Sequence, residues 1–376
     1  MLLKFLLALT LALPLSASAV DINWSGFGTA GYTISDQPYK YQRFIDDHGT
    51  LKSDSILGAQ VDVKFNQQWG ATIQGRLSAA PDNDSRTEAS LAWAFLSWRP
   101  TDDVLLRAGK LRVPFMLNTE NQEVGVTFPY ARLPVEVYAT APTTDIYGAM
   151  LTKTWFTTSN LEWSLDGYFG KIGYYQRFYG RDMTNNGQGG GSWFEPTNLK
   201  GGGLVLSLRD SEDIYRLGLH RIETRLRNGR IMSDLTFTPL PFPPGQGYFN
   251  LAASPEIDKT TSPVFVIGAS IGLPMKFRAS AEYARVRVTN AINGWDRWAA
   301  YGALSKQLGA WTPYIYYAKL RSNGGVLSLY EPNSLIKAEW SHTRTGIVSS
   351  FIDAPAGSNS ADQKINVFSL SYNFTF

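Results

Sequence analysis

Apolar and polar residues alternate at the end of the chain. In VFSLSYNFTF (367–376), Phe368, Leu370, Tyr372, Phe374 and Phe376 fall on one face of an extended segment, and Ser369, Ser371, Asn373 and Thr375 fall on the other. Successive side chains of a strand point to opposite faces, so this pattern predicts a β-strand with one apolar and one polar face. The same period recurs. Leu57, Ala59, Val61, Val63 and Phe65 alternate with Gln60, Asp62 and Lys64. Trp69, Ala71, Ile73, Gly75 and Leu77 alternate with Thr72, Gln74, Arg76 and Ser78. Leu161, Trp163, Leu165 and Phe169 alternate with Glu162, Ser164, Asp166 and Tyr168. Phe277, Ala279, Ala281 and Tyr283 oppose Lys276, Arg278, Ser280 and Glu282, and Ile336, Ala338 and Trp340 oppose Lys337 and Glu339. Segments 90–98 and 311–320 are apolar on both faces, and alternation does not orient them.

The connections alternate too. Short turns are expected near 66–68, 99–103, 156–160, 209–213, 273–275, 308–310 and 331–333. Longer loops, polar or rich in Gly and Pro, are expected at 35–54, 80–88, 113–144, 172–198, 226–260 and 353–363, with smaller ones near 289–295 and 321–325. These connections join sixteen strands. Short turns on one side and long loops on the other are the signature of a transmembrane barrel. In hydrocarbon every backbone polar group must pair within the protein, and a closed sheet achieves that without an edge. Aromatics gather at strand ends (Phe65 and Trp69, Trp155 and Trp163, Trp311), as in interfacial girdles. A soluble sandwich accounts for the alternation but not for the loop asymmetry or the aromatic placement. The expected fold is therefore all-β: one transmembrane antiparallel barrel of about 16 strands over residues 20–376.

Residues 1–19 hold Lys4, an apolar run from Phe5 to Leu15, and the small residues Ala17-Ser18-Ala19. This is the layout of a cleaved export signal. Beyond it no apolar run is long enough for a membrane helix. The 35 Lys+Arg against 32 Asp+Glu are spread along the chain, so no basic stretch points to nucleic acid. There is no cysteine, which excludes disulfides and thiolate metal sites.

One motif invites a different reading. SGFGTAGY (25–32) contains G-x-G-x-x-G at Gly26, Gly28 and Gly31. A dinucleotide fold needs a helix opening inside that motif. Here YTISDQPYKYQRF follows, without helical periodicity and with Pro38. The glycines fit a first strand, Ile22 to Ile34, where neighbouring backbone approaches closely. The second glycine-rich tract, 185–203, lacks a P-loop lysine.

The export signal, the alternating strands and the final strand ending in Phe376 resemble those of Gram-negative outer-membrane porins. WRPTDDVLLRAGKLRVPF (98–115) is similar to the turn and strand before the constriction loop in a subgroup that includes phosphate-selective porin-like proteins. The resemblance implies a sixteen-stranded barrel, commonly a homotrimer, in outer-membrane lipid and lipopolysaccharide. It also implies assembly by the barrel-assembly machinery, which reads the terminal aromatic, and a third loop that folds inward. Loop 113–144 is the third long loop, and its length points to function. It carries Glu120, Glu123 and Glu136 against Arg132, while Arg76, Arg107, Lys110 and Arg112 lie on the strands before it. Acids on the loop facing bases on the wall would set a transverse field and an ion preference. Alternation forbids Arg107 and Lys110 from sharing a face. Loop 226–260 is a second candidate for insertion.

Enzymatic signals are thin. His48, His220 and His342 are far apart in sequence, and no G-x-S-x-G, H-E-x-x-H or EF-hand series occurs. The sequence predicts a porin for small hydrophilic solutes, without cofactor. A substrate-selective channel, for example for phosphate, and a non-conducting structural or adhesin barrel are the alternatives.

Overall fold

Alternation becomes strand wherever it was found. The computed structural model describes residues 20–375 apart from 158–160, 181–189, 228–231, 240–246, 291–295, 310, 323–335, 346–350, 355–357 and 359–361. In chain order the strands are β1 (Asp21–Ser35), β2 (Lys40–Tyr41), β3 (Ile56–Lys64), β4 (Trp69–Ala79), β5 (Thr87–Thr101), β6 (Val104–Arg112), β7 (Asp145–Phe156), β8 (Glu162–Gly180), β9 (Gly191–Asp210), β10 (Asp213–Leu226), β11 (Met232–Pro239), β12 (Gly247–Ile257), β13 (Thr260–Leu273), β14 (Phe277–Val286), β15 (Arg297–Lys306), β16 (Tyr314–Ser322), β17 (Ile336–Arg344), β18 (Ile352–Asp353) and β19 (Lys364–Thr375).

Fifteen of them form one antiparallel sheet in the order β16-β15-β14-β13-β10-β9-β8-β7-β6-β5-β4-β3-β1-β19-β17. β11 and β12 pair as a separate hairpin inside the expected loop 226–260, and β2 pairs with β18. The chain meanders round the sheet, and its first strand returns beside its last, with Phe27 opposite Thr375 and Ser35 opposite Val367. The two end strands are β16 and β17. Tyr314 of β16 donates from its hydroxyl to Glu339 Oε2 of β17 at 3.1 Å, so the sheet curls until its ends come within side-chain reach. No backbone ladder joins them among the described residues. With fifteen strands alternating in direction, the end strands run the same way, and an even ring needs one more. The sixteenth expected strand, between 325 and 331, lies outside the described residues, as do the expected signal 1–19 and Phe376.

The outer face is apolar. Ile73, Leu151, Phe169, Leu204, Leu219, Ile267, Trp340 and Leu370 are all exposed on it. Gln74, Met150, Ser207, Arg216, Glu282, Glu339 and Ser369 are buried on the inner face. A soluble protein rarely exposes so continuous an apolar surface. Trp155 stacks on Trp163 and Trp69 on Trp98 near the short turns.

Two expectations need correction. The loop expected at 172–198 is largely strand, because β8 and β9 stay paired from Glu162 with Arg209 up to Gly180 with Gly191. Segment 90–98 defied alternation because β5 carries a bulge. Gln74 pairs with Trp93 but Gly75 with Leu91, leaving Ala92 as an extra residue. One inserted residue flips the side-chain phase, so Leu91 is exposed below it and Leu96 and Trp98 above it.

Candidate functional site

β6 delivers the chain into the interior. Gly109 adopts φ +141°, and three residues later the strand ends at Arg112. The following segment, 113–144, does not stay at the rim. It buries Val113, Phe115, Met116, Phe128, Tyr130 and Val137. Its α-helical turn, Val135–Tyr138, packs against β14, β15 and β16.

The loop's acids sit on wall arginines. Glu123 Oε1 accepts from Arg112 Nη2 at 2.9 Å and is paired with Arg76 Nη1 as well. Arg112 Nε also donates to Asp145 Oδ1 at 2.9 Å. Glu120 Oε2 accepts from Arg216 Nη2 at 3.2 Å, and Arg216 Nη1 donates to the Met116 carbonyl at 2.6 Å. The expected separation of loop acids from wall bases across open water is thus replaced by direct contact. Phe115 stacks on the His220 ring with centroids 4.2 Å apart, and the His220 Nδ1 lies 2.7 Å from the Tyr168 hydroxyl.

The loop's base pairs in the other direction. Arg132 grips Asp54 bidentately, Nε to Oδ1 at 2.7 Å and Nη2 to Oδ2 at 2.6 Å, and also donates to Thr33. Burial pushes the Asp54 carboxyl up, but the Arg132 guanidinium beside it, together with hydrogen bonds from Thr33 and Ser53, holds it below the usual carboxylate range. Two buried wall carboxylates fix the remainder. Glu282 accepts from the Leu117 backbone N–H at 2.8 Å, the Tyr138 hydroxyl at 2.8 Å and the Tyr301 hydroxyl at 2.9 Å. Tyr314, which donates to Glu339, accepts from the Ala131 N–H at 2.8 Å. Tyr130 meets Tyr301, Tyr314 and Tyr316 edge-on.

Of the eight residues predicted for a constriction, Arg76, Arg112, Glu120 and Glu123 join the wall cluster. Arg132 belongs to the Asp54 contact. Glu136 is buried nearby, in a small cavity it shares with Tyr41, Arg132, Tyr316 and Glu339. Arg107 faces inward and donates to Thr152 Oγ1 at 3.3 Å. Lys110 does not join them: its ammonium lies 5.8 Å from the Tyr147 ring on the outer face and donates to the Leu91 carbonyl. Sequence reasoning missed Asp145, which directly follows the loop, and Asp54, Glu282, Tyr301, Tyr314 and Glu339, which lie far along the chain from the loop they hold. Alternation placed Glu282 and Glu339 on polar faces, and that was their only signal.

At the long-loop side a second network crosses the mouth. Arg177 of β8 donates to Asp84 at 2.9–3.1 Å and to Asp353 of β18 at 3.0 Å. Asp84 also accepts from Arg43 Nε at 2.5 Å and Ser192 Oγ at 2.6 Å. The three histidines share no site: His48 meets Asp47, and His342 meets Asn366.

No protein-family model matches the chain, and no curated protein does. Solved structures do. The outer membrane channel DcaP of Acinetobacter baumannii is 10% identical, with 96% of this chain and 99% of that one covered and a TM-score of 0.54. An anion-selective porin from Comamonas acidovorans is 10% identical, with 95% of this chain and 100% of that one covered and a TM-score of 0.39. The likeness to the first is one of fold alone.

Proposed function

We propose that the protein is an outer-membrane channel through which small hydrophilic solutes and ions diffuse passively, narrowed by loop 113–144. One observation carries this: a loop enters the interior of an apolar-coated curled sheet and lays Glu120 and Glu123 on Arg216, Arg76 and Arg112. Charges at a constriction set ion preference. The fold it shares with an outer-membrane channel supports the reading. On this reading residues 1–19 direct export, the apolar face meets lipid, and the barrel-assembly machinery inserts the chain; assembly as a homotrimer belongs to the same proposal. Phosphate selectivity has less support, because Arg76, Arg112 and Arg216 are already matched by the loop's acids.

The test is conductance of the purified protein in a planar bilayer under a salt gradient. Discrete steps are expected, with a reversal potential that reports the balance of acids and bases. A second reading has its own observation. The loop touches the wall at β1, β4, β10, β14, β15 and β16, which suits a closed structural barrel. Silence from folded, heat-modifiable protein would select that reading.

A further inference from the structure

Register sets three lysines in one row across the outer face. Lys110 of β6 stands opposite Tyr147 of β7, Tyr147 opposite Lys171 of β8, Lys171 opposite Lys200 of β9, and Lys200 opposite Glu223 of β10. Directly opposed residues in an antiparallel ladder project to the same side. That side is the outer one, since Tyr147, Lys171 and Lys200 are exposed. A few residues toward the short turns the same face carries Phe169, Leu204 and Leu219, exposed by 71%, 55% and 55%. The row therefore marks the upper margin of the apolar belt.

Lys171 and Lys200 are like charges directly opposite one another, an arrangement that destabilises a ladder unless an anion lies between them. The nearby acids are engaged elsewhere: Glu223 pairs with Lys259 at 3.3 Å and Asp258 with Arg225 at 3.1 Å. A groove of about 560 Å³ opens here, lined by Tyr147, Lys171, Lys200, Arg225 and Lys259, with Glu223, the partner of Lys259, as the acid on its wall. It is basic at its head and continuous with exposed apolar side chains at its foot. A second copy meeting it face to face across a two-fold axis would bring the same charges to it and be repelled.

We propose that this groove binds a phosphorylated lipid of the surrounding leaflet, its phosphate between Lys171 and Lys200 and its acyl chains over Phe169, Leu204 and Leu219. The proposal rests on the reading that the apolar face meets a membrane. Lys110, predicted for the pore, extends the row and steadies Tyr147 at its edge.

The full-length chain in uncharged detergent is titrated with phosphorylated lipid A, with its dephosphorylated counterpart and with inorganic phosphate, and bound lipid is counted by native mass spectrometry. Lipid A should bind the unaltered chain. The Lys171→Gln/Lys200→Gln variant should bind it on the order of tenfold or more weakly. Lys153→Gln, at the opposite margin beside Asp103, should bind as the unaltered chain does. Equal binding by the double variant, or equal binding of the dephosphorylated lipid, overturns the proposal. Displacement of the lipid by inorganic phosphate overturns it in favour of a free-anion site. Bilayer conductance of the same preparations separates the two readings: lipid binding with a silent bilayer supports the groove and sinks the channel, and conduction with equal lipid binding does the reverse.

Discussion

Glu123 serves two arginines with one carboxylate oxygen, and its side chain is only 8% exposed. In so dry a place each charge-assisted contact counts for more than at the surface. Glu123→Gln leaves Arg76 without its anion and Arg112 with Asp145 alone. The reversal potential should move toward anion preference, and stability should fall by about 1–3 kcal/mol. An unchanged reversal potential would show that ions do not pass this cluster. Asp54 makes the complementary prediction, read in pH. Its folded pKa is lowered relative to the ordinary value of 3.8. A lowered carboxyl pKa contributes stability that is fully present above the ordinary value and is lost as pH falls through the folded one. The Arg132 contact should thus hold unchanged from neutral pH down to about 4, and loosen only below that. Thermal melts across that range should show the extra loss in the unaltered protein and not in Asp54→Asn, which has no carboxyl to protonate.

At the scale of elements, alternation was enough to find the strands, because a wall between lipid and water imposes its period on every residue. It failed in β5 for an identifiable reason, the bulge at Ala92, and it underestimated β8 and β9 because their paired backbone continues past the apolar belt to Gly180 and Gly191. The fate of loop 113–144 was only half legible. Its charges pointed to the wall arginines, but Leu117 with Glu282 and Arg132 with Asp54 join residues 165 and 78 positions apart, and no local pattern encodes that pairing. Lys110 shows the converse: parity allowed either it or Arg107 inside, and the register with Tyr147 decided. The left-handed glycine inside β6, just ahead of the loop, was also invisible in sequence. At φ +141° Gly109 is where a side chain is least tolerated, and a Cβ there would lie 2.2 Å from the Ala94 carbonyl oxygen. Gly109→Ala should prise β5 from β6 at a cost of about 1–3 kcal/mol. The altered protein should lose its heat-modifiable gel shift at a lower temperature, and an unaltered shift would mean that the ladder absorbs the methyl group.

For the molecule as a whole, the question is whether the mouth is open when the constriction is. Six strands separate β8 from β19 in the sheet, so Arg177 on β8 and Asp353 in the connection leading to β19 belong to opposite flanks. Arg177 joins them and takes Asp84 as well, while Arg43 holds Asp84 from a third loop. These side chains are each 6–23% exposed, so the network is partly shielded from solvent and is more than a surface ion pair. Removing the hub frees the Asp84 and Asp353 connections from β8 at once, while Arg43 and Ser192 still hold Asp84. Arg177→Gln should therefore raise single-channel conductance or add flicker between levels, as the connections around Asp84 and Asp353 gain freedom. It should leave the reversal potential where it was, because Arg76, Arg112 and Glu123 are untouched. Glu123→Gln should do the opposite, shifting selectivity with little change in flicker. Mouth and constriction would then be independent resistances in series. If Arg177→Gln instead shifted selectivity, ions would be discriminated at the mouth, and the acids of loop 113–144 would act as structural pins.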